Sequence, residues 1–130
     1  MKINNTDKWF SIFIRLRDSG GYGYCTCFTC GKINHWKNMD CGHFVKRKHQ
    51  GTRYNEKNCH AQCKTCNWLL QGNDWVFKEK IIEMYGQETH DLLKSSERTN
   101  FKRTKLELDL LAKEYKEKAI TLANVKGIII

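Results

Sequence analysis

Two Cys-x-x-Cys pairs constrain this chain more than anything else in it: Cys27-Phe28-Thr29-Cys30 and Cys63-Lys64-Thr65-Cys66. Four thiolates in two such pairs are the set that tetrahedral Zn²⁺ takes in a closed structural site. Cys27, Cys30, Cys63 and Cys66 are therefore expected to hold a structural zinc. The stretch between them exceeds the roughly 15–20 residues of a simple zinc ribbon, so a further unit is built between the pairs. Cys25, two residues before Cys27, competes as a ligand. The Cys-x-x-Cys turn followed by Gly31 lets backbone N–H groups face the sulfurs, which favours Cys27 and Cys30 and leaves Cys25 as a small buried side chain.

The remaining cysteines bear on the compartment. There are seven in all, an odd number, and the amino terminus has no apolar leader segment. Paired knuckles, an odd total and no leader favour reduced thiols and a cytoplasmic protein over a disulfide framework. No apolar run approaches membrane-spanning length, so no membrane partner is expected. At 130 residues, 40% of them hydrophobic and none of them proline, the chain is expected to form a single domain.

Net charge is +9, and it is concentrated. Between positions 32 and 64 lie eight Lys and Arg residues against only Asp40 and Glu56. A basic cluster beside a metal site suggests a polyanionic partner, a nucleic acid bound through its phosphates, although basic residues also serve simply as solvated surface. Lys46, Arg47, Lys48, Arg53, Lys57 and Lys64 are the candidate DNA-binding residues.

The pattern along the chain predicts an α+β fold: a small zinc-bound treble-clef core flanked by helices at both ends. Thr6 or Asp7 can cap a helix ending near Arg17, with Trp9, Phe13 and Leu16 on one stripe that packs on the zinc module. Residues 1–19 thus form an amino-terminal helix and 22–73 the core. Residues 38–45 read as a strand and 53–59 lead into a second, joined by a basic link with a turn glycine. A short helix follows the second knuckle until Gly72-Asn73 interrupts it. Asp74 can cap the next helix, and helices over 74–95 pack on the core. A long helix over 100–124 carries Phe101, Leu108, Leu111, Tyr115, Ala119 and Leu122 on one face and mixed charge on the other, which is a solvated face or a surface for a partner helix.

Three residues in the core suit phosphodiester chemistry. His43 follows Gly42 at the end of the first strand, and a neutral imidazole can take a proton from water. Asn58, before the second knuckle, is placed to orient that ring through its side-chain carbonyl. Asn67, directly after Cys66, offers an amide oxygen to a hard cation such as Mg²⁺ or Mn²⁺. That ion would stabilise charge developing on the phosphate. Asp40 and His60 are alternative second ligands for it. Strand alternation puts Asp40 opposite His43 unless Gly42 bends the strand, and His60 serves instead to position a phosphate or to close the knuckle. His35, His49 and His90 lack such context and are expected at the surface.

These residues fall in an ordered motif. Cys27-x-x-Cys30-Gly31, Asp40-Cys41-Gly42-His43-Phe44, the run from Arg53-Tyr54-Asn55-Glu56-Lys57-Asn58 through His60 and Gln62 to Cys63-x-x-Cys66-Asn67, and Gly72-Asn73 resemble the NinG/Rap family of lambdoid-phage recombination proteins. The resemblance covers about residues 9–93. More broadly it extends to HNH, or ββα-metal, nucleases, which often carry an acidic residue where this chain has Gly42. The resemblance implies that His43 is the general base, that Asn58 orients it and that Asn67 binds the catalytic ion. It further implies a structure-selective endonuclease acting on Holliday junctions and D-loops, for which paired nicks would favour a homodimer. One rival expectation is a non-catalytic zinc-finger DNA-binding accessory protein, which needs no His43. Another is a zinc scaffold that recruits enzymes through the 100–124 helix.

Overall fold

The computed structural model describes residues 2–130. Its amino-terminal helix, α1 (Asn5–Arg17), is capped by Asn4 rather than by Thr6 or Asp7. Asn4 Oδ1 accepts from the Asp7 N–H at 2.7 Å, and Asp7 Oδ2 accepts from the Asn4 N–H at 2.8 Å, a reciprocal pair that satisfies two orphan donors. Thr6, two residues further in, donates its hydroxyl to the Leu108 carbonyl instead.

Two small antiparallel sheets follow. The first pairs β1 (Tyr24–Thr26) with β2 (Ile33–His35) and carries the first knuckle in its turn. Gly31 closes that turn at φ 80°, a conformation that glycine adopts freely. The second pairs β3 (Asp40–His43) with β4 (Cys59–Gln62), in a register that sets Gly42 opposite His60 and His43 opposite Cys59. The expected hairpin is present, but its second strand starts where the sequence placed its end. Residues before it form a short helix, α2 (Gln50–Arg53), and two successive turns, because Arg53 and Tyr54 point inward to Asp7 rather than extending along a sheet.

After the second knuckle the chain makes one wide turn, Thr65–Leu69, closed by an i+5 hydrogen bond from the Leu70 N–H to the Thr65 carbonyl. Helix α3 (Asp74–Tyr85) begins after Asn73, which sits in the left-handed region without a side-chain cap. Asp74 does not cap it. Its carboxylate accepts from Lys46 Nζ at 2.7 Å. Gly86 separates α3 from α4 (Gln87–Ser95), whose His90 is buried rather than exposed. The long carboxy-terminal helix, α5 (Lys105–Lys126), starts later than its apolar pattern suggested, at a capping box of Thr104 and Glu107. Phe101 lies outside it and is half-exposed.

The two long helices pack along each other and on the cysteine module. Ala112, Tyr115, Ala119 and Ala123 form the buried stripe of α5. Three of the four are small, which brings the helix close to α1, and Phe10 and Phe13 meet the Tyr115 ring at 4.9 and 5.4 Å. Cys27, Cys63 and Cys66 share one apolar cluster with Ile12 and Leu16 of α1 and with Ala119 and Ala123 of α5. The charged face of α5 is solvated. A further cluster joins Phe44 and Val45 to Phe77, Ile81 and Leu93, seating α3 and α4 against the end of β3.

Candidate metal centre and cleft

The four knuckle sulfurs lie within 4.8 Å of one another, and Cys30 and Cys63 approach to 3.6 Å. Tetrahedral zinc with Zn–S bonds of about 2.3 Å needs sulfur–sulfur edges of roughly 3.8 Å. The set therefore fits a metal such as zinc. Burial pushes the Cys27 thiol up, but hydrogen bonds from the Thr29 hydroxyl and from backbone N–H groups outweigh it and bring Cys27 down to about 6. Thiolate character at this corner suits a metal ligand. Cys25 is fully buried outside the set, and burial pushes its thiol up to about 11.

Beside this centre, α1, β3 and the Thr65–Leu69 turn enclose a cleft of about 570 Å³. His43, Asp40, Asn67, Arg47 and Lys64 line it. His43 is half-buried and one ring nitrogen is fixed: Nε2 lies 3.0 Å from the Arg53 carbonyl. A carbonyl only accepts, so Nε2 carries the proton and Nδ1 holds the lone pair of the neutral ring. Burial, reinforced by the Arg47 charge, lowers the His43 pKa to about 4, against the opposing pull of the Arg53 and Cys41 carbonyls. The ring is neutral at pH 7.

The orienting group is that backbone carbonyl, and not the Asn58 side chain. Asn58 is fully buried; its Oδ1 accepts from the Val45 N–H, and its Nδ2 donates to the carbonyls of Val45 and Thr52. It pins both ends of the loop that delivers the Arg53 carbonyl to His43, so its effect on the ring is indirect.

Asp40 and Asn67 meet at the other side of the cleft. Alternation holds within the hairpin, where Gly42 and His60 share one face and His43 and Cys59 the other. Asp40 sits at the strand's end, however, and its carboxylate reaches the second knuckle. It accepts from Asn67 Nδ2 at 3.1 Å, Trp68 Nε1 at 2.8 Å and Lys64 Nζ at 2.8 Å. A half-turn of the Asn67 amide exchanges its NH₂ for its oxygen at little steric cost, which would set two hard oxygen donors side by side. Such a pair suits Mg²⁺ or Mn²⁺ with remaining positions filled by water.

His60 is not part of this set. It stacks on Phe28 at 3.8 Å on the opposite face of the hairpin, with Nδ1 3.1 Å from Arg17 and Nε2 3.2 Å from the Tyr85 hydroxyl. Both nitrogens are engaged structurally. Gly42 follows from the same packing: a Cβ there would fall 2.0 Å from Gln62 Oε1. Gln62 is itself buried and held through Nε2 by Thr29 and the Gly72 carbonyl, so no acidic side chain fits before His43.

The basic residues divide. Arg47 and Lys64 line the cleft, Lys46 borders it while paired with Asp74, and Lys48 is exposed. Arg53 is removed from the DNA-binding candidates, because its guanidinium is buried in a two-pronged ion pair with Asp7. Lys57 lies over the Tyr85 ring, on the side of His60. Sequence reasoning missed Lys8 and Arg15, which line the cleft from one face of α1 at helical spacing with Ser11 and Ile12. It also missed Trp68, whose indole is 71% exposed at the cleft edge while bonded to Asp40.

A small α+β protein with two two-stranded sheets and a four-cysteine cluster able to hold a metal such as zinc is the class these features define. The family model described as Bacteriophage Lambda NinG protein matches residues 2–125, and the chain belongs to the NinG family. It is 29% identical over 126 residues to Protein ninG of Escherichia phage lambda, covering 96% of this chain and 59% of that relative. Protein ninG of Escherichia phage 933W is 28% identical (96% and 60% covered), and that of Salmonella phage P22 is 27% identical (96% and 59%). The chain thus spans about three-fifths of the length of these relatives. No solved structure matches. No helix among the described residues is long and apolar enough to cross a membrane.

Proposed function

We propose that this chain is a divalent-metal-dependent DNA endonuclease of the HNH type, selective for branched recombination intermediates such as Holliday junctions and D-loops. Its zinc-held core would then be a treble clef, with the β3–β4 hairpin and the turn after the second knuckle as its ββα unit. The observation that carries the reading is His43: a neutral imidazole with one nitrogen tied to a carbonyl, in a basic cleft that also holds Asp40 and Asn67.

In this reading His43 Nδ1 takes a proton from a water as its oxygen attacks phosphorus, and the bond to the leaving oxygen breaks, that oxygen taking up a proton from solvent. Asp40 and Asn67 would hold a divalent ion, which would supply charge stabilisation at the phosphate. Arg47, Lys46, Lys48 and Lys64 bind the backbone, which positions DNA without reading its sequence. Trp68, exposed beside these cations, offers a stacking surface for a base displaced at a branch point. Paired nicks across a junction would call for two copies of the chain.

The test is cleavage of a labelled four-way junction, a D-loop and a linear duplex of matched sequence, each with Mg²⁺, Mn²⁺ or EDTA. Metal-dependent cutting of the branched substrates is expected. Tight binding without cutting in any metal would replace this reading with that of a zinc-finger DNA-binding accessory protein.

A further inference from the structure

The face of the hairpin that carries His43 also carries two cysteines that the zinc centre does not use. Cys41 lies two residues before His43 on the same face of β3, and Cys59 is the direct cross-strand partner of His43. The ligand atoms of Cys41, His43 and Cys59 all lie within 4.8 Å of one another. Two sulfurs and an imidazole nitrogen are three of the four donors that zinc takes. With bonds of about 2.3 Å to sulfur and 2.0–2.1 Å to nitrogen, rotamer-scale adjustment closes the triangle.

The surroundings leave these groups available. Cys59 is wholly buried; its sulfur makes long contacts of 3.9 Å to Asn58 Nδ2 and to the Arg53 carbonyl and also meets the Cys41 thiol, while burial holds its own thiol protonated until a metal displaces the proton. Cys41 and His43 are half-buried and line the cleft, so an ion between them would keep a fourth position open to water. Three protein ligands with an open fourth corner make an exchangeable site, unlike the closed four-cysteine centre. Thiolates select a soft or borderline ion and reject Mg²⁺, which prefers the oxygens of Asp40 and Asn67.

We propose that Cys41, His43 and Cys59 form a second, exchangeable zinc site that switches the cleft off. Zinc binding there releases the two thiol protons to solvent, takes a lone pair from the imidazole and oxidises nothing. The metal site stands on its own geometry. Its inhibitory consequence rests on the nuclease reading, because the ion occupies the ring that would otherwise accept the proton.

The test begins with the full chain carrying one equivalent of zinc, titrated with Co²⁺ under reducing conditions. One further equivalent should bind with a thiolate-to-cobalt charge-transfer band. Cys41→Ser, a near-isosteric change at a half-buried position, should retain the first zinc and the circular-dichroism spectrum. It should weaken the cobalt by more than about 100-fold, beyond what loss of a ligand's hydrogen-bond partner costs. In the junction assay, excess Zn²⁺ should stop the wild type and a chelator of free zinc should restore it. Cys41→Ser, compared with its own uninhibited rate, should resist. No second thiolate-ligated cobalt, a band unchanged by Cys41→Ser, or a Cys41–Cys59 disulfide under the reducing conditions would each overturn the site. Inhibition that persists undiminished in Cys41→Ser would overturn the switch. If the chain cuts nothing under any condition, the nuclease reading and the switch both fall, while the cobalt titration still decides the site.

Discussion

His43 and His60 stand on facing strands of one hairpin, and burial holds both imidazoles down to about 4, yet the two rings are in opposite chemical situations. His60 has both nitrogens engaged, between Arg17 and Tyr85, and its ring is stacked on Phe28. His43 has one nitrogen held by the Arg53 carbonyl and its ring on a cleft with Asp40, Asn67 and Arg47. A depressed pKa does not separate them, since burial and a neighbouring arginine lower both. What distinguishes a candidate base is a lone pair left over once the hydrogen bonds are assigned. The hairpin therefore has a structural face and a candidate chemical face, and the sheet alternation keeps them apart.

The largest expected effect removes both faces together. Structural zinc in small modules contributes about 10–16 kcal/mol of apparent binding energy, which becomes folding energy. Chelation, or Cys63→Ser, should therefore abolish the cooperative thermal transition and the hairpin's amide-exchange protection. Retention of both would detach the four cysteines from the fold.

His60→Ala should come next. Losing a stacked, doubly hydrogen-bonded ring from a buried position is expected to cost about 2–4 kcal/mol. The fall should appear in denaturant midpoint, with junction cutting per folded molecule retained. Loss of cutting at full stability would place His60 among the chemical groups after all.

Gly42→Ala sharpens the boundary between the faces. The added methyl meets Gln62 at 2.0 Å, and overpacking of this kind costs about 1–3 kcal/mol. Combining it with Gln62→Ala should be less destabilising than the sum of the two single changes, because the clash is shared. Strict additivity would show that the glycine is not there to clear Gln62.

The smallest effect is on pH dependence, and it is common to both rings. Each has a folded pKa near 4, below the ordinary 6.5, so unfolding takes up protons between these values. Their contribution is full above about 6.5 and is lost as pH falls through 4, so stability should rise with pH across that window. His60→Gln should remove about one proton from the slope, up to roughly 1.4 kcal/mol per pH unit. An unchanged slope would mean that His60 is not buried as a neutral ring.

How much of this was legible in the sequence depended on the range of the interaction. The knuckles, the hairpin around His43 and the breaks at Gly72 and Gly86 are written locally, in spacing and turn residues. Arg53 read as a DNA-binding cation because its neutralising partner, Asp7, lies far away in the chain and meets it only in the folded state. The position of Asn58 in sequence suggests contact with the ring, whereas it closes the loop between Val45 and Thr52. Strand parity alone sets Asp40 away from His43, and its contacts with Asn67 and Trp68 beyond the strand's end bring it to the cleft. Lys8 and Arg15 were within reach of sequence reasoning, since they share one face of α1, but nothing local shows that this face borders a cleft.

The most direct measurement compares wild type with His43→Ala in single-turnover cleavage of a four-way junction in Mg²⁺, with binding and thermal stability measured on the same samples. General-base catalysis is worth about 10²–10⁴-fold, so the variant should bind the junction and keep its fold while its cleavage rate falls by that factor. Equal cutting by His43→Ala would contradict the assignment of the chemical face.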